Sequence, residues 1–167
     1  MRVGGLGGRL RRASSGEVGL GTGGGELLAS DVTLGLKPLR DMAVYKEDRD
    51  GRAKPGDGRE MREAGGQAEG VLLGCPEYNH GMSGGMKNVL DWLSRPHGQS
   101  PLKSKPVLGF TASPAFTGGV RAQQQLNEAL WAMQARLVCH PQIVIGGVGT
   151  KVSQGRLDDE AARQFLR

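Results

Sequence analysis

From residue 70 onwards one pattern recurs three times: a short apolar run, a polar loop, then residues with helical spacing. Gly70-Val71-Leu72-Leu73-Gly74-Cys75 is bounded by Pro76, and its length favours a buried strand. Residues 76–85 form a polar, glycine-containing loop. Met86, Val89, Leu90 and Leu93 then follow i, i+3, i+4, i+7 spacing, with a stop before Pro96. Lys105 to Thr111 reads as the next buried strand, Ser113 to Gly119 as a second loop. Residues 120–137 read as a helix with Leu126, Leu130, Met133 and Leu137 on one face. Val138 to Ile145 holds a further strand, interrupted by Pro141, which suits an edge. Asp158 to Leu166 reads as the last helix, with Asp158 near its N-terminus. Strands alternating with helices make an α/β fold built of βαβ units on a parallel sheet. Ligands of such sheets bind beyond the carboxyl ends of the strands, where both polar loops lie.

The N-terminal part fits the same plan less cleanly, because glycine is concentrated there. Seventeen of the 29 glycines fall in residues 1–70. Arg2 to Leu6 is expected as the first strand, residues 16–29 as the first helix, and Asp31 to Leu36 as the second strand. Six of the ten residues 16–25 are glycine, and each costs roughly 0.8–1 kcal/mol relative to alanine inside a helix. Such a helix depends on tertiary packing. Residues 49–60 read as a flexible loop.

The length of 167 residues sets an expectation of one domain spanning 1–167. No apolar run is long enough for a transmembrane helix, and no secretory signal pattern is visible. Cys75 and Cys139 cannot make a disulfide framework, so a cytoplasmic location and no membrane partner are expected. The net charge is +5, but its tightest cluster, Arg9, Arg11 and Arg12, sits in a glycine-rich turn. That arrangement suits a small anion better than a nucleic acid, and no nucleic-acid partner is expected. The three histidines lack metal-ligand spacing, so no metal is expected either.

Pro76-Glu77-Tyr78-Asn79-His80-Gly81, followed by Gly85-Met86-Lys87-Asn88-Val89-Leu90-Asp91-Trp92-Leu93, resembles the NADPH-dependent FMN reductase family. That family carries a Pro-Glu-Tyr-Asn turn and then a Leu-Lys-Asn-Ala-Leu-Asp-Trp helix. Gly118-Gly-Val-Arg-Ala-Gln-Gln-Gln-Leu126 and Asp41-Met-Ala-Val-Tyr-Lys-Glu-Asp48 extend the resemblance. It implies a flavodoxin-like three-layer sandwich: a five-stranded parallel sheet of order 2-1-3-4-5 with helices on both faces. It implies FMN as cofactor, NADPH or NADH as electron donor, and a small-molecule acceptor such as a quinone, azo compound, metal oxyanion or free flavin. It implies a homodimer or homotetramer. Pro76, Glu77, Tyr78 and Asn79 then line the flavin ring, with Ser113 in the next loop. Glycines 81, 84 and 85 permit close backbone approach. Tyr78 offers a ring and a hydroxyl, Asn79 a donor and an acceptor.

At the phosphate end the family pattern Gly-Ser-Leu-Arg-x-x-Ser-x-Asn meets Gly8-Arg9-Leu10-Arg11-Arg12-Ala13-Ser14-Ser15-Gly16. Leu10, Arg11 and Ser14 match; Arg9 replaces the family Ser and Gly16 the Asn. Arg9, Arg11, Ser14 and Ser15 are the expected phosphate ligands. The flavin carries the redox chemistry, so no catalytic acid or base is assigned. The alternative is a flavin-free binding or regulatory module of the same fold, motivated by the altered phosphate loop. Cys75 and Cys139 read as small buried residues, His97 and His140 as surface residues. Trp92 and Trp131 fall off the main apolar faces of their helices, which reads as partial burial or a subunit contact.

Overall fold

The computed structural model describes residues 1–7, 32–38, 42–50, 56–154 and 156–164. The predicted helix over residues 16–29 lies outside them.

The central sheet is built from parallel strands β1 (Arg2–Gly7), β2 (Thr33–Pro38), β3 (Gly70–Cys75) and β6 (Pro106–Ala112). Their order is β2-β1-β3-β6. The fifth position is shared by two short strands, β7 (Arg136–Leu137) and β8 (Ile143–Ile145). Both pair with β6: β7 beside Pro106 and Val107, β8 beside Phe110 to Ala112. The expected order 2-1-3-4-5 therefore holds, with six strands instead of five because the edge is split. Pro141 lies in the split, where its missing N–H removes no ladder bond.

Helices α1 (Gly56–Gln67), α2 (Gly84–Leu93) and α3 (Val120–Ala132) cover one face. Strand side chains alternate between faces. Val71, Leu73, Cys75 and Val107 accordingly pack with Met86, Leu90, Leu93, Leu126 and Leu130. Phe110, Ala112, Ile143 and Ile145 face the other way. They pack with Val148 of α4 (Val148–Lys151), Leu157 of β10 (Arg156–Leu157) and Ala162 of α5 (Glu160–Gln164). β10 pairs antiparallel with β9 (Val152–Ser153). No helix among the described residues is long and apolar enough to cross a membrane.

Four sequence expectations about helix ends and cysteines need correction. Residues 56–60 begin helix α1 and are not loop. Four glycines and few apolar residues hide this helix, which packing holds: Met61 is buried, and Lys105 Nζ donates to the carbonyls of Gly65 and Gly66 at its end. Helix α3 stops at Ala132, so Leu137 belongs to β7; Gln134 at φ 58° turns the chain into that strand. Asp159, not Asp158, caps α5, its Oδ1 accepting from Ala162 N at 2.8 Å. Cys139 is exposed, whereas Cys75 is buried as expected.

Candidate functional site

β1, β3 and β6 run parallel, so Gly7, Cys75 and Ala112 end at one edge of the sheet. The predicted phosphate ligands Arg9, Arg11, Ser14 and Ser15 lie outside the described residues.

After Cys75 and buried Pro76, the chain makes a tight hairpin of β4 (Glu77–Tyr78) and β5 (Gly81–Met82). Glu77 pairs with Met82, and Tyr78 with Gly81. The turn residues are Asn79 at φ 48° and His80 at φ 64°. Two-residue hairpins of type I′ need positive φ at both central positions, and Asn tolerates it well. Asn79 and His80 are exposed at the tip, and Tyr78 is half exposed. The Asn79 side-chain amide makes no hydrogen bond among the described residues. Buried Ser83 ends the hairpin and caps α2, its Oγ accepting from Met86 N at 3.2 Å. Burial pushes the Cys75 thiol pKa up, while hydrogen bonding with Ser83 draws it down.

The Glu77 carboxylate does not point away with Tyr78. Its Oε2 accepts from Arg121 N and Ala122 N, each at 3.1 Å, at the start of α3. These are two of the first-turn donors that lack a partner within any helix. Gln125 Oε1 accepts from Met82 N at 2.9 Å. Gly81 leaves room for this bond: a Cβ there would lie 3.1 Å from Gln125 Oε1.

The second loop is bonded to β8 and to the start of α4. Ser113 N donates to Ile145 O, Val148 N to Ser113 O, and Gly147 N to Ala115 O. Ser113 is buried, and its Oγ accepts from Ala115 N at 3.2 Å, closing a local turn. Gly118 and Gly119 have φ of 66° and 93°. A Cβ on Gly118 would lie 2.9 Å from the carbonyl carbon of Val144; one on Gly119 would lie 3.1 Å from Thr111 Cβ and 3.3 Å from Glu77 Cβ. Phe116 on this turn is 93% exposed.

The structure thus brings Pro76, Glu77, Tyr78, Asn79 and Ser113 to one edge of adjacent strands. Sequence reasoning missed the roles of Asn88 and Trp92. Asn88 Oδ1 accepts from Tyr45 N at 2.7 Å and its Nδ2 donates to Ala43 O at 3.1 Å; Trp92 Nε1 donates to the same carbonyl at 2.8 Å. The two side chains, one turn apart on α2, bind the segment 42–46. Trp92 is fully buried, with the Tyr45 ring edge-on at 5.0 Å, which corrects the reading of partial burial or subunit contact. Trp131 is 61% exposed. A groove of about 310 Å³ between the C-terminal halves of α2 and α3 takes no residue from either loop. Among the described residues no group of three or more His, Cys, Asp or Glu side chains is placed to hold a metal.

The model of the NADPH-dependent FMN reductase family matches residues 1–150. A quinone reductase of Pseudomonas putida is 31% identical over 143 residues, covering 85% of this chain and 76% of that protein. An NAD(P)H-dependent FMN reductase of Pseudomonas aeruginosa is 31% identical over 168 residues, covering 100% of this chain and 90% of that protein. Among solved structures, the flavoenzyme NAD(P)H:(acceptor) oxidoreductase FerB of Paracoccus denitrificans superposes with a TM-score of 0.84 at 26% identity, covering 99% of this chain and 90% of that one. An NADH:FMN oxidoreductase in its apo form, at TM-score 0.71 and 21% identity over 99% of this chain and 84% of that one, shows the same fold. The chain belongs to the NADPH-dependent FMN reductase family: it is a flavodoxin-like oxidoreductase whose cofactors are FMN and NAD(P)H.

Proposed function

We propose that this chain, as one flavin-binding domain of the cytoplasm, passes reducing equivalents from NAD(P)H to a quinone-type small molecule. The observation that carries the site assignment is the hairpin tip at the carboxyl edge of β3, where Asn79 presents an amide that makes no hydrogen bond among the described residues, beside half-exposed Tyr78. The residues fit a flat heterocycle with polar edges. Asn79 offers both a donor and an acceptor, and Tyr78 an aromatic surface. The Gly118–Gly119 turn lets backbone come close where any Cβ would collide. FMN, when bound, supplies the hydride chemistry. The chain orients it: Pro76, Tyr78 and Asn79 border the ring, and Ser113 holds the neighbouring turn in shape through Ala115 N. Arg9, Arg11, Ser14 and Ser15 take the phosphate, on the match to the family's Gly-x-Leu-Arg-x-x-Ser pattern.

The likeness to two quinone-reducing or acceptor-reducing relatives supports a quinone as acceptor. The exposed Trp131 supports assembly into a homo-oligomer. The test is titration of flavin-stripped protein with FMN, then NADH and NADPH oxidation with a quinone, an azo dye and free FMN as acceptors. Stoichiometric FMN uptake with fastest turnover on the quinone is expected. Protein that takes up no flavin would instead support the flavin-free module of the same fold.

A further inference from the structure

We infer that Glu77 is a positioning residue: its carboxylate clamps the hairpin to helix α3 and does not act on the flavin directly. The inference rests on the flavin-binding reading above.

The hairpin is not part of the main sheet. Among the described residues β4 and β5 pair only with each other, so the strands beneath do not dictate their orientation. Two contacts with α3 do. Helix α3 starts on Gly119, whose φ of 93° and lack of a side chain leave it without a local cap. The first-turn amides of Arg121 and Ala122 therefore need an outside acceptor, and Glu77 Oε2 is that acceptor at 3.1 Å for both. A carboxylate at a helix N-terminus is favoured twice, by the hydrogen bonds and by the positive end of the helix dipole. Glu77 Oε1 lies 3.9 Å from the Arg121 guanidinium, and only 9% of the Glu77 side chain is exposed. Gly119 and Glu77 approach closely: a Cβ on Gly119 would lie 3.3 Å from Glu77 Cβ.

The second contact lies opposite. Glu77 and Met82 are cross-strand partners at the base of the hairpin. Met82 N donates to Gln125 Oε1, and Gln125 sits one turn beyond Arg121 on the same side of α3. Both strands are thus held at their base by one helix face. Rotation about the base is blocked, and the tip with Asn79 is aimed.

The test compares wild type, Glu77→Gln, Glu77→Ala and Gln125→Ala. Each is stripped of flavin, titrated with FMN by fluorescence quenching, melted as apoprotein, and scanned for the visible flavin band at saturation. Glu77→Ala is expected to raise the FMN Kd by about tenfold, equivalent to ~1.4 kcal/mol, and to shift the flavin band. Glu77→Gln keeps an oxygen acceptor for the two amides and should recover to within about threefold of wild type. Gln125→Ala should weaken FMN binding and shift the band in the same sense. An unchanged Kd and band in Glu77→Ala would overturn the inference. So would equal loss in Glu77→Gln and Glu77→Ala with Gln125→Ala behaving as wild type, since the carboxylate would then act on the flavin itself. If Glu77→Ala does not fold, Glu77→Gln and Gln125→Ala decide by the same criteria. Wild type that takes up no FMN overturns both this inference and the flavin-binding reading; wild type that binds while the variants match it overturns this inference alone.

Discussion

Asn79 does two things that point mutations must separate. Its backbone sits at φ 48°, and its side-chain amide has no partner among the described residues. Alanine at that φ costs roughly 1–2 kcal/mol by itself, so it confuses turn strain with lost ligand contacts. Asn79→Gly keeps the turn and removes only the amide. FMN affinity should fall several-fold, the effect of losing neutral bonds worth about 0.5–1.5 kcal/mol each. The apoprotein melting temperature should hardly move, because residue 79 is exposed. A large melting drop with unchanged affinity would make Asn79 a turn residue only. The two cysteines give a second residue-scale prediction. Cys139 is exposed and Cys75 buried with a raised pKa. A thiol probe should label one cysteine in native protein and two in urea. The raised folded pKa of Cys75 also sets a sign. Its contribution is complete below the ordinary thiol pKa and is lost as pH rises through the folded value. The stability gap between wild type and Cys75→Ala should therefore narrow at alkaline pH, as urea midpoints will show.

At the scale of elements, the loop after β6 shows how glycine shapes a site. Gly118 combines φ of 66° with backbone of residues 144–146 within about 3 Å of a would-be Cβ. Gly118→Ala meets a left-handed conformation and a wall that cannot rotate away. It should destabilise the protein by about 2 kcal/mol or more, the combined scale of positive-φ strain and overpacking, measurable by urea unfolding. Gly146 faces the same crowding, since its Cβ would strike the Phe116 carbonyl oxygen. The loop is thus a locked shelf bonded to β8 and the start of α4, which explains how it presents Phe116 to solvent without loose backbone. Helix α2 works by a different device. One stripe of Met86, Val89, Leu90 and Leu93 enters the core, while Asn88 and Trp92 bind the segment 42–46.

Across the whole molecule, three parallel strands end at one sheet edge, and a ligand bound there would tie non-local parts of the chain together. FMN binding should therefore raise thermal stability by mass action. At FMN one hundred times its Kd the gain is ~2.7 kcal/mol, provided the unfolded chain does not bind it. For a chain of this size that corresponds to a rise of roughly 5–10 °C in Tm. Melting scans at increasing FMN should show a graded rise, and a flat series would argue against a specific flavin site.

Local sequence determined the strand at 70–75, the start and stop of α2, and the parallel α/β plan, because these elements carry strong apolar periodicity and Pro or Gly at their ends. Residues 76–85 read in the sequence only as a polar loop, and the structure folds 77–82 into a hairpin. What the local sequence left open depended on partners distant in the chain. Helix α1 has little apolar pattern of its own, and packing plus Lys105 hold it. Trp92 reads as misplaced on its helix until the Ala43 carbonyl, 49 residues earlier, is brought to its Nε1. Glu77 stands in a polar loop of the sequence, and only the fold sets its carboxylate against two amides 44 and 45 residues later. Spacing along a chain reports which side chains share a face. Which backbone donors and acceptors remain unsatisfied, and therefore what a polar side chain must do, is decided only when the elements pack.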